Sequence, residues 1–232
     1  MTSKQVPLQL NNSLRYVFVD FIANETAVEA LRNFQKLPQF TYLWGDVSSG
    51  KTHLLGALEH ELRTAQLSNL MLDADMISDK DVFNNIPDNL AFLLLDDVDK
   101  LKSDSTFELD LFNMYNLCRS QGTKLLVSSA VSPRSTDWQL PDLKSRLNSG
   151  LLLTLESLKG ELALECIKRQ FFNYGIPLDL TVINYLKTTQ NTSYQYLYKL
   201  FLYLASESLK LKRKVTIPLV KKAIQDIEIS NE

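Results

Sequence analysis

The chain has 232 residues, of which 45% are hydrophobic and 22% are charged. This length and hydrophobic fraction suit one large or two modest domains with a buried core, and they exclude a chain that is mainly disordered. The 25 Lys and Arg residues against 27 Asp and Glu residues give a net charge of -2. The sequence therefore lacks the overall basic excess of a nonspecific nucleic-acid-binding protein.

Cysteine usage and apolar run lengths indicate a protein of the cytoplasm. Cys118 and Cys166 are far apart and have no second Cys or His at ligand spacing, so neither a disulfide framework nor a zinc site is predicted. The first residues contain no apolar signal region, and runs such as Leu93–Leu95 are far shorter than the ~20 residues that cross a membrane. We expect no membrane contact.

Through the first two thirds of the chain, strand-like apolar runs alternate with helical spacing. Residues 1–13 are polar and without periodicity, which predicts a flexible arm. The predicted strands are Tyr42–Trp44, Asn69–Leu72, Phe92–Leu95, Lys124–Ser128 and Leu151–Leu155, with predicted helices at Lys51–Ala65 and Thr106–Ser120. This alternation favours an α/β domain over residues 14–156, built on a parallel sheet covered on both faces.

After Glu156 the apolar spacing is helical throughout. The predicted helices are Leu158–Phe172, Leu180–Thr188, Tyr194–Leu209 and Pro218–Ile227. Asp179 and Thr216 are suitable N-caps for two of them. Residues 157–232 are therefore predicted to form a small all-α domain.

The segment Gly45–Thr52 fits the phosphate-loop pattern G-x-x-x-x-G-K-[ST], placed between a predicted strand and a predicted helix. In such a loop the backbone N–H groups surround the β-phosphate, Lys51 reaches the β/γ oxygens and Thr52 offers its hydroxyl to Mg²⁺. His53 either approaches the nucleotide or lies on the helix surface. The candidate nucleotide-binding residues here are Gly45, Asp46, Val47, Ser48, Ser49, Gly50, Lys51, Thr52 and His53.

A second acidic element follows the predicted strand Phe92–Leu95. Asp96 is the candidate for the metal side of the site, together with Thr52, and Asp97 is the candidate that polarises an attacking water. A surface turn with two carboxylates is the alternative.

Three further segments carry a family resemblance. Sequence boxes of the DnaA-related AAA+ proteins resemble the segments Tyr16–Ile22, Tyr42–Gly45 and Leu140–Leu147. The chain is similar above all to the family of DnaA regulatory inactivators, Hda. The resemblance implies a P-loop AAA+ core with a five-stranded parallel sheet, followed by a helical lid. It also implies ADP or ATP with Mg²⁺ as cofactors, with Phe21 and Ile22 beside the nucleotide.

The resemblance also implies a regulatory function in replication initiation. The arm segment Gln5–Leu10 is similar to a motif that binds the DNA polymerase sliding clamp, with Gln5 making hydrogen bonds and Val6, Leu8 and Leu10 entering an apolar groove. A tail without function is the alternative. Arg146 matches the family's arginine finger, which stimulates ATP hydrolysis on DnaA in trans. DnaA and the clamp are thus the implied partners, a homo-oligomer is an open alternative, and no sequence-specific DNA binding is expected, because the chain ends where the lid is complete.

Two departures from the family pattern affect the chain's own chemistry. Ala130 stands where the family has an acidic sensor, and Gln195 stands where the lid has a phosphate-contacting Arg, with Lys199 as a candidate substitute. These changes predict nucleotide binding with weak or no intrinsic hydrolysis. The competing hypothesis is an ATP-hydrolysing helicase loader or DnaA-type initiator, which the intact Lys51 and Asp97 keep open.

Overall fold

The structure is a computed structural model, and it describes residues 16–74, 86–101, 105–135, 137–189, 191–211 and 213–229. Its strands are β1 (Phe40–Gly45), β2 (Asn69–Asp73), β3 (Phe92–Asp96), β4 (Lys124–Ser129) and β5 (Leu151–Leu155). They form a five-stranded parallel sheet in the order β2-β3-β4-β1-β5. Each predicted apolar run lies within one of these strands, so the predicted sheet is confirmed.

Helices cover both faces of the sheet. They are α1 (Glu25–Arg32), α2 (Lys51–Thr64), α3 (Ser105–Gln121) and α4 (Pro141–Leu147). Because successive strand residues point to opposite faces, Leu94 packs with α1 and α2 on one face, whereas Leu93 and Leu95 pack with α3 and α4 on the other. Burial on both faces explains why β3 is apolar from Phe92 to Leu95 rather than alternating, whereas burial alternates along the edge strand β5.

The described residues after β5 form the predicted helical lid. Its helices are α5 (Gly160–Asn173), α6 (Leu180–Lys187), α7 (Tyr194–Leu211) and α8 (Ile217–Ile229). Their apolar faces meet in a separate cluster, at whose centre the Phe171 and Phe201 rings pack edge to face at 4.8 Å. A P-loop core with a helical lid is therefore confirmed as the fold class.

The helix ends differ from the sequence expectations in detail. Helix α5 begins at Gly160 rather than at Leu158, because Lys159 is extended and pairs with Ser193 in an antiparallel bridge. Asp179 occupies the N-cap position of α6 with an extended backbone, but its carboxylate forms no capping hydrogen bond. Helices α1 and α4 are not among the helices predicted from the sequence. None of the helices in the described ranges is both long and apolar enough to cross a membrane.

Candidate nucleotide-binding site

The loop between β1 and α2 lies at the carboxyl edge of the sheet, where parallel α/β sheets bind ligands. Gly50 is the N-cap of α2 and has a φ of 99°, a conformation that glycine adopts without strain. The Ser49 N–H donates to the Asp46 carbonyl at 3.1 Å, and the Leu54 N–H donates to the Gly50 carbonyl at 3.0 Å. The loop therefore turns directly into a helix N-terminus, which favours an anion.

Lys51 lies beneath this loop with only 5% of its surface exposed. Its ammonium donates to the carbonyl oxygens of Gly45 (3.0 Å) and Asp46 (3.3 Å) and lies 3.7 Å from Oδ1 of Asp97. This buried ammonium connects the loop with the acidic pair at the end of β3.

Asp96 is held by hydroxyl groups from two other segments. Its buried carboxylate accepts a hydrogen bond from Ser128 at the end of β4 and lies beside the hydroxyl of Thr52 at the start of α2. Burial raises the pKa of Asp96, and the two hydroxyl groups oppose that rise. Hydroxyl and carboxylate oxygens are ligands that Mg²⁺ prefers, so Thr52 and Asp96 fit the metal role predicted for them.

Asp97 has a different environment from its neighbour. Its backbone lies in the left-handed region at φ 52°, and its N–H donates to the Ser128 hydroxyl at 2.9 Å. The carboxylate is 28% exposed and pairs with Lys100 at 3.3 Å as well as with Lys51. It is therefore the member of the pair that can contact water.

A cavity of 420 Å³ opens between the loop and the lid. Seven of the predicted binding residues line it: Phe21, Ile22, Ser48, Ser49, Gly50, Thr52 and His53. The other four, Gly45, Asp46, Val47 and Lys51, do not line this cavity. Lys51 is buried below the loop, whereas Val47 is 63% exposed.

His53 is half-buried and does not lie on a solvent-exposed face of α2. Its ring packs against Tyr16 at 5.3 Å and Phe21 at 5.4 Å, and Nε2 lies 3.3 Å from the Val17 carbonyl. Because a carbonyl oxygen only accepts, Nε2 carries the hydrogen. Burial lowers the pKa of His53. The neutral ring therefore connects the segment Tyr16–Ile22 to α2.

The lid contributes cavity residues that sequence reasoning did not identify. One face of α5 contributes Cys166, Arg169, Gln170 and Asn173, and one face of α7 contributes Tyr194 and Tyr198. Gln170 Nε2 donates to the Tyr194 hydroxyl at 2.7 Å. The i, i+3, i+4 and i+7 spacing was visible in the sequence, but it did not show which helix face meets the core.

The two lid positions singled out from the family pattern lie elsewhere. Gln195 and Lys199 are exposed on α7, and neither lines the cavity. Arg169 of α5 lines it instead, with its guanidinium 3.8 Å from the Glu165 carboxylate.

Ala130 has no acidic side chain, but the carboxylate of Asp99 from another segment lies beside its backbone. The Ala130 N–H donates to Oδ1 of Asp99 at 2.7 Å, and its carbonyl accepts from the Trp44 indole at 3.3 Å. Asp99 thus places a carboxylate at the end of β4 from the turn that follows β3.

Arg146 lies in the last turn of α4 and does not line the nucleotide cavity of its own chain. Its guanidinium rests over the Tyr115 ring at 5.7 Å. No carboxylate in the described part of the chain forms an ion pair with it. The predicted clamp-binding residues Gln5, Val6, Leu8 and Leu10 lie outside the described residues.

A phosphate loop after β1, an acidic pair at the end of β3 and a helical lid across the cavity define an AAA+ nucleotide-binding module. The family model of the bacterial DnaA ATPase domain matches residues 12–154, and that of the Hda lid domain matches residues 161–224. The chain belongs to this DnaA-related AAA+ family. An uncharacterized protein of Haemophilus influenzae is 31% identical over 229 residues, which cover 96% of this chain and 99% of that protein.

Solved structures agree with the fold. Domain III of the Thermotoga maritima replication initiation protein DnaA matches with a TM-score of 0.78 at 18% identity, covering 92% of this chain and 97% of that one. The replication initiator DnaA bound to AMPPCP and single-stranded DNA matches with a TM-score of 0.67 at 25% identity, covering 86% and 68%. The AMPPCP-bound DnaA of Aquifex aeolicus matches with a TM-score of 0.67 at 21% identity, covering 86% and 68%.

Gly50→Ala is expected to weaken nucleotide binding by at least about tenfold, which is about 1.4 kcal/mol. The added Cβ would lie 2.6 Å from the Phe21 ring, at a φ that alanine adopts only with strain. Gly122→Ala is the matched control, because Gly122 also has a positive φ but its Cβ would meet nothing within 4 Å. Calorimetric titration with ADP measures both variants. Equal affinity in the two would contradict the prediction.

Proposed function

We propose that this protein is a nucleotide-bound regulator of replication initiation in the cytoplasm. The observation that carries the proposal is the combination of a DnaA-type ATPase domain with an Hda-type lid in one chain. In this proposal residues 1–13 form an arm, residues 14–156 the AAA+ core and residues 157–232 the lid.

The ligand of the cavity is proposed to be ADP or ATP with Mg²⁺. Two DnaA structures that match this fold contain AMPPCP. The helix N-terminus at Gly50 suits the phosphates, and Thr52 with Asp96 suits the metal. Mg²⁺ would supply charge neutralisation at the phosphates, while the aromatic side chains of Phe21, Tyr194 and Tyr198 give the cavity an apolar wall suited to a base.

The partner chemistry is proposed to be stimulation of ATP hydrolysis on DnaA by Arg146 in trans. Its position outside the cavity of its own chain supports action on another subunit. An arginine at a γ-phosphate stabilises the charge that develops during phosphoryl transfer. The arm residues Gln5, Val6, Leu8 and Leu10 are proposed to bind the sliding clamp, which would hold the regulator on DNA without a basic surface of its own.

A second candidate function is an ATP-driven loader or initiator that works by its own hydrolysis. The ion pair of Asp97 with Lys51 favours it, because this carboxylate is partly exposed beside the phosphate loop. The two functions separate in a hydrolysis assay. A regulator accelerates DnaA-bound ATP turnover and hydrolyses little ATP alone, whereas a motor hydrolyses ATP without DnaA.

The clamp link is tested with the double variant Gln5→Ala, Leu8→Ala. We expect it to lose capture by the sliding clamp and to lose clamp-dependent stimulation of DnaA-bound ATP hydrolysis, because the apolar anchor and the leading amide are both removed. Asn11→Ala, Asn12→Ala is the matched control in the same arm. Wild-type protein that fails to bind the clamp would overturn this link and favour the loader.

A further inference from the structure

The chain passes from the sheet to the lid through a segment that is held on both sides of Ser157. On the core side, the Asn24 side chain pairs with the backbone of Glu156. Its Nδ2 donates to the Glu156 carbonyl at 3.0 Å, and its Oδ1 accepts from the Glu156 N–H at 2.8 Å. One carboxamide thus satisfies both backbone groups of a residue 132 positions away.

On the lid side, a backbone bridge begins one residue after Ser157. The Tyr194 N–H donates to the Leu158 carbonyl at 3.0 Å, and the Gly160 N–H donates to the Thr192 carbonyl at 3.1 Å. Ser157 lies between the two attachments, and its buried hydroxyl has no hydrogen-bond partner among the described residues. This leaves Ser157 as the joint between a residue fixed to the core and a residue fixed to the lid.

The backbone at Asn24 is fixed in an uncommon conformation. Asn24 and the preceding Ala23 both have positive φ angles, 54° and 66°. Non-glycine residues in this region carry a conformational cost and persist where the surroundings hold them. Asparagine tolerates the region better than most residues, and here its amide also makes the two bonds to Glu156.

Both ends of this contact border the nucleotide cavity. Phe21 and Ile22 precede Asn24 and line the cavity, and Leu158 follows Ser157 and lines it from the other side. A ligand that contacts these side chains therefore touches the core segment and the lid segment at the place where the Asn24 amide joins the chain.

We propose that Asn24 is a positioning residue for nucleotide binding, which fixes the core side of the lid hinge and so keeps the lid against a bound nucleotide. This inference rests on the proposed nucleotide binding. The Asn24–Glu156 contact holds Glu156 to the core, the Leu158–Tyr194 contact holds the next segment to the lid, and lid motion is confined to Ser157. Without the Asn24 amide the mobile joint extends back from Ser157 to include Glu156, and the lid releases nucleotide sooner.

The test is the rate of ADP release from full-length protein, measured by stopped-flow displacement of a fluorescent ADP analogue. Asn24→Gly keeps the backbone conformation and removes the amide. We expect release about tenfold faster, as the loss of two hydrogen bonds allows. Asn24→Asp keeps an acceptor for the Glu156 N–H and removes the donor, so an intermediate rate is expected. Asn33→Ala is the control, because the Asn33 amide donates within its own helix end, to the Glu29 carbonyl.

A purely structural role for Asn24 gives a different result. Backbone hydrogen exchange at Glu156 would then increase and the melting temperature would fall, while ADP release stayed at the wild-type rate. We expect instead that ADP protects the Tyr194 amide from exchange in wild type and much less in Asn24→Gly. Unchanged release in both Asn24 variants would overturn the inference. Wild-type protein that binds no ADP would overturn the proposed function itself.

Discussion

Arg146→Ala is expected to lower the stimulation of DnaA-bound ATP hydrolysis by at least about 10³-fold, the effect of removing an arginine supplied in trans to a γ-phosphate. The guanidinium lies over the Tyr115 ring, with no carboxylate paired to it in the described ranges. Its charge is therefore available to an anionic partner. Phosphate release from DnaA–ATP, with the clamp on DNA, measures the effect.

Two further variants show whether the effect belongs to this side chain. Arg146→Lys keeps the charge but loses the planar fork that contacts phosphate oxygens in pairs, so it is expected to restore only a small part of the stimulation. Lys144→Ala removes a neighbouring cation from the same helix turn and is expected to keep most of it. Stimulation at the wild-type level by Arg146→Ala would refute the finger assignment.

Loss of folding does not explain the expected result. A cation over an aromatic ring at a partly exposed site contributes about 0.5–1 kcal/mol, so Arg146→Ala should lower the melting temperature only slightly. Nucleotide binding should also stay near wild type, because Arg146 is outside the cavity of its own chain. The variant thus separates the partner's chemistry from this protein's own ligand binding.

The fold was predictable because its strongest signals are local. The buried strands are continuous apolar runs, and Phe92–Asp96 is buried at every position. Helix α1 was not predicted, although it has eight residues like α6 and follows Asn24, a favoured N-cap residue type. The start of α5 was misplaced because the Lys159–Ser193 bridge joins segments that are distant in the sequence.

The candidate site was predictable where a motif is contiguous, and not where helix faces converge. The loop at Gly50 and the pair Asp96 and Asp97 could be identified from neighbouring residues alone. Arg169 and Tyr194 belong to separate helices, and their approach to the cavity depends on how the lid packs. The Asp99 carboxylate at Ala130 depends likewise on the adjacency of β3 and β4, which no local pattern encodes.

Lys51→Ala is expected to weaken ADP and ATP binding by at least about 100-fold, which is about 2.8 kcal/mol, twice the 1.4 kcal/mol of a tenfold change. The ammonium is the buried cation below the loop, bonded to the Gly45 and Asp46 carbonyls. A bound nucleotide brings phosphate charge to the same loop, where Lys51 offers its donors to the β/γ oxygens. Calorimetric titration with each nucleotide measures the loss.

The controls for this prediction are variants of Lys100 and Asp97, because Asp97 forms ion pairs with both Lys51 and Lys100. Lys100→Ala removes the exposed cation that also pairs with Asp97, and because exposed pairs contribute little, nucleotide affinity should change less than about threefold, or ~0.7 kcal/mol. Asp97→Asn keeps a residue type that tolerates the left-handed backbone and removes the charge, so binding should persist while any intrinsic hydrolysis falls. Equal losses of affinity in Lys51→Ala and Lys100→Ala would show that net charge near the loop, rather than the buried ammonium, determines nucleotide binding.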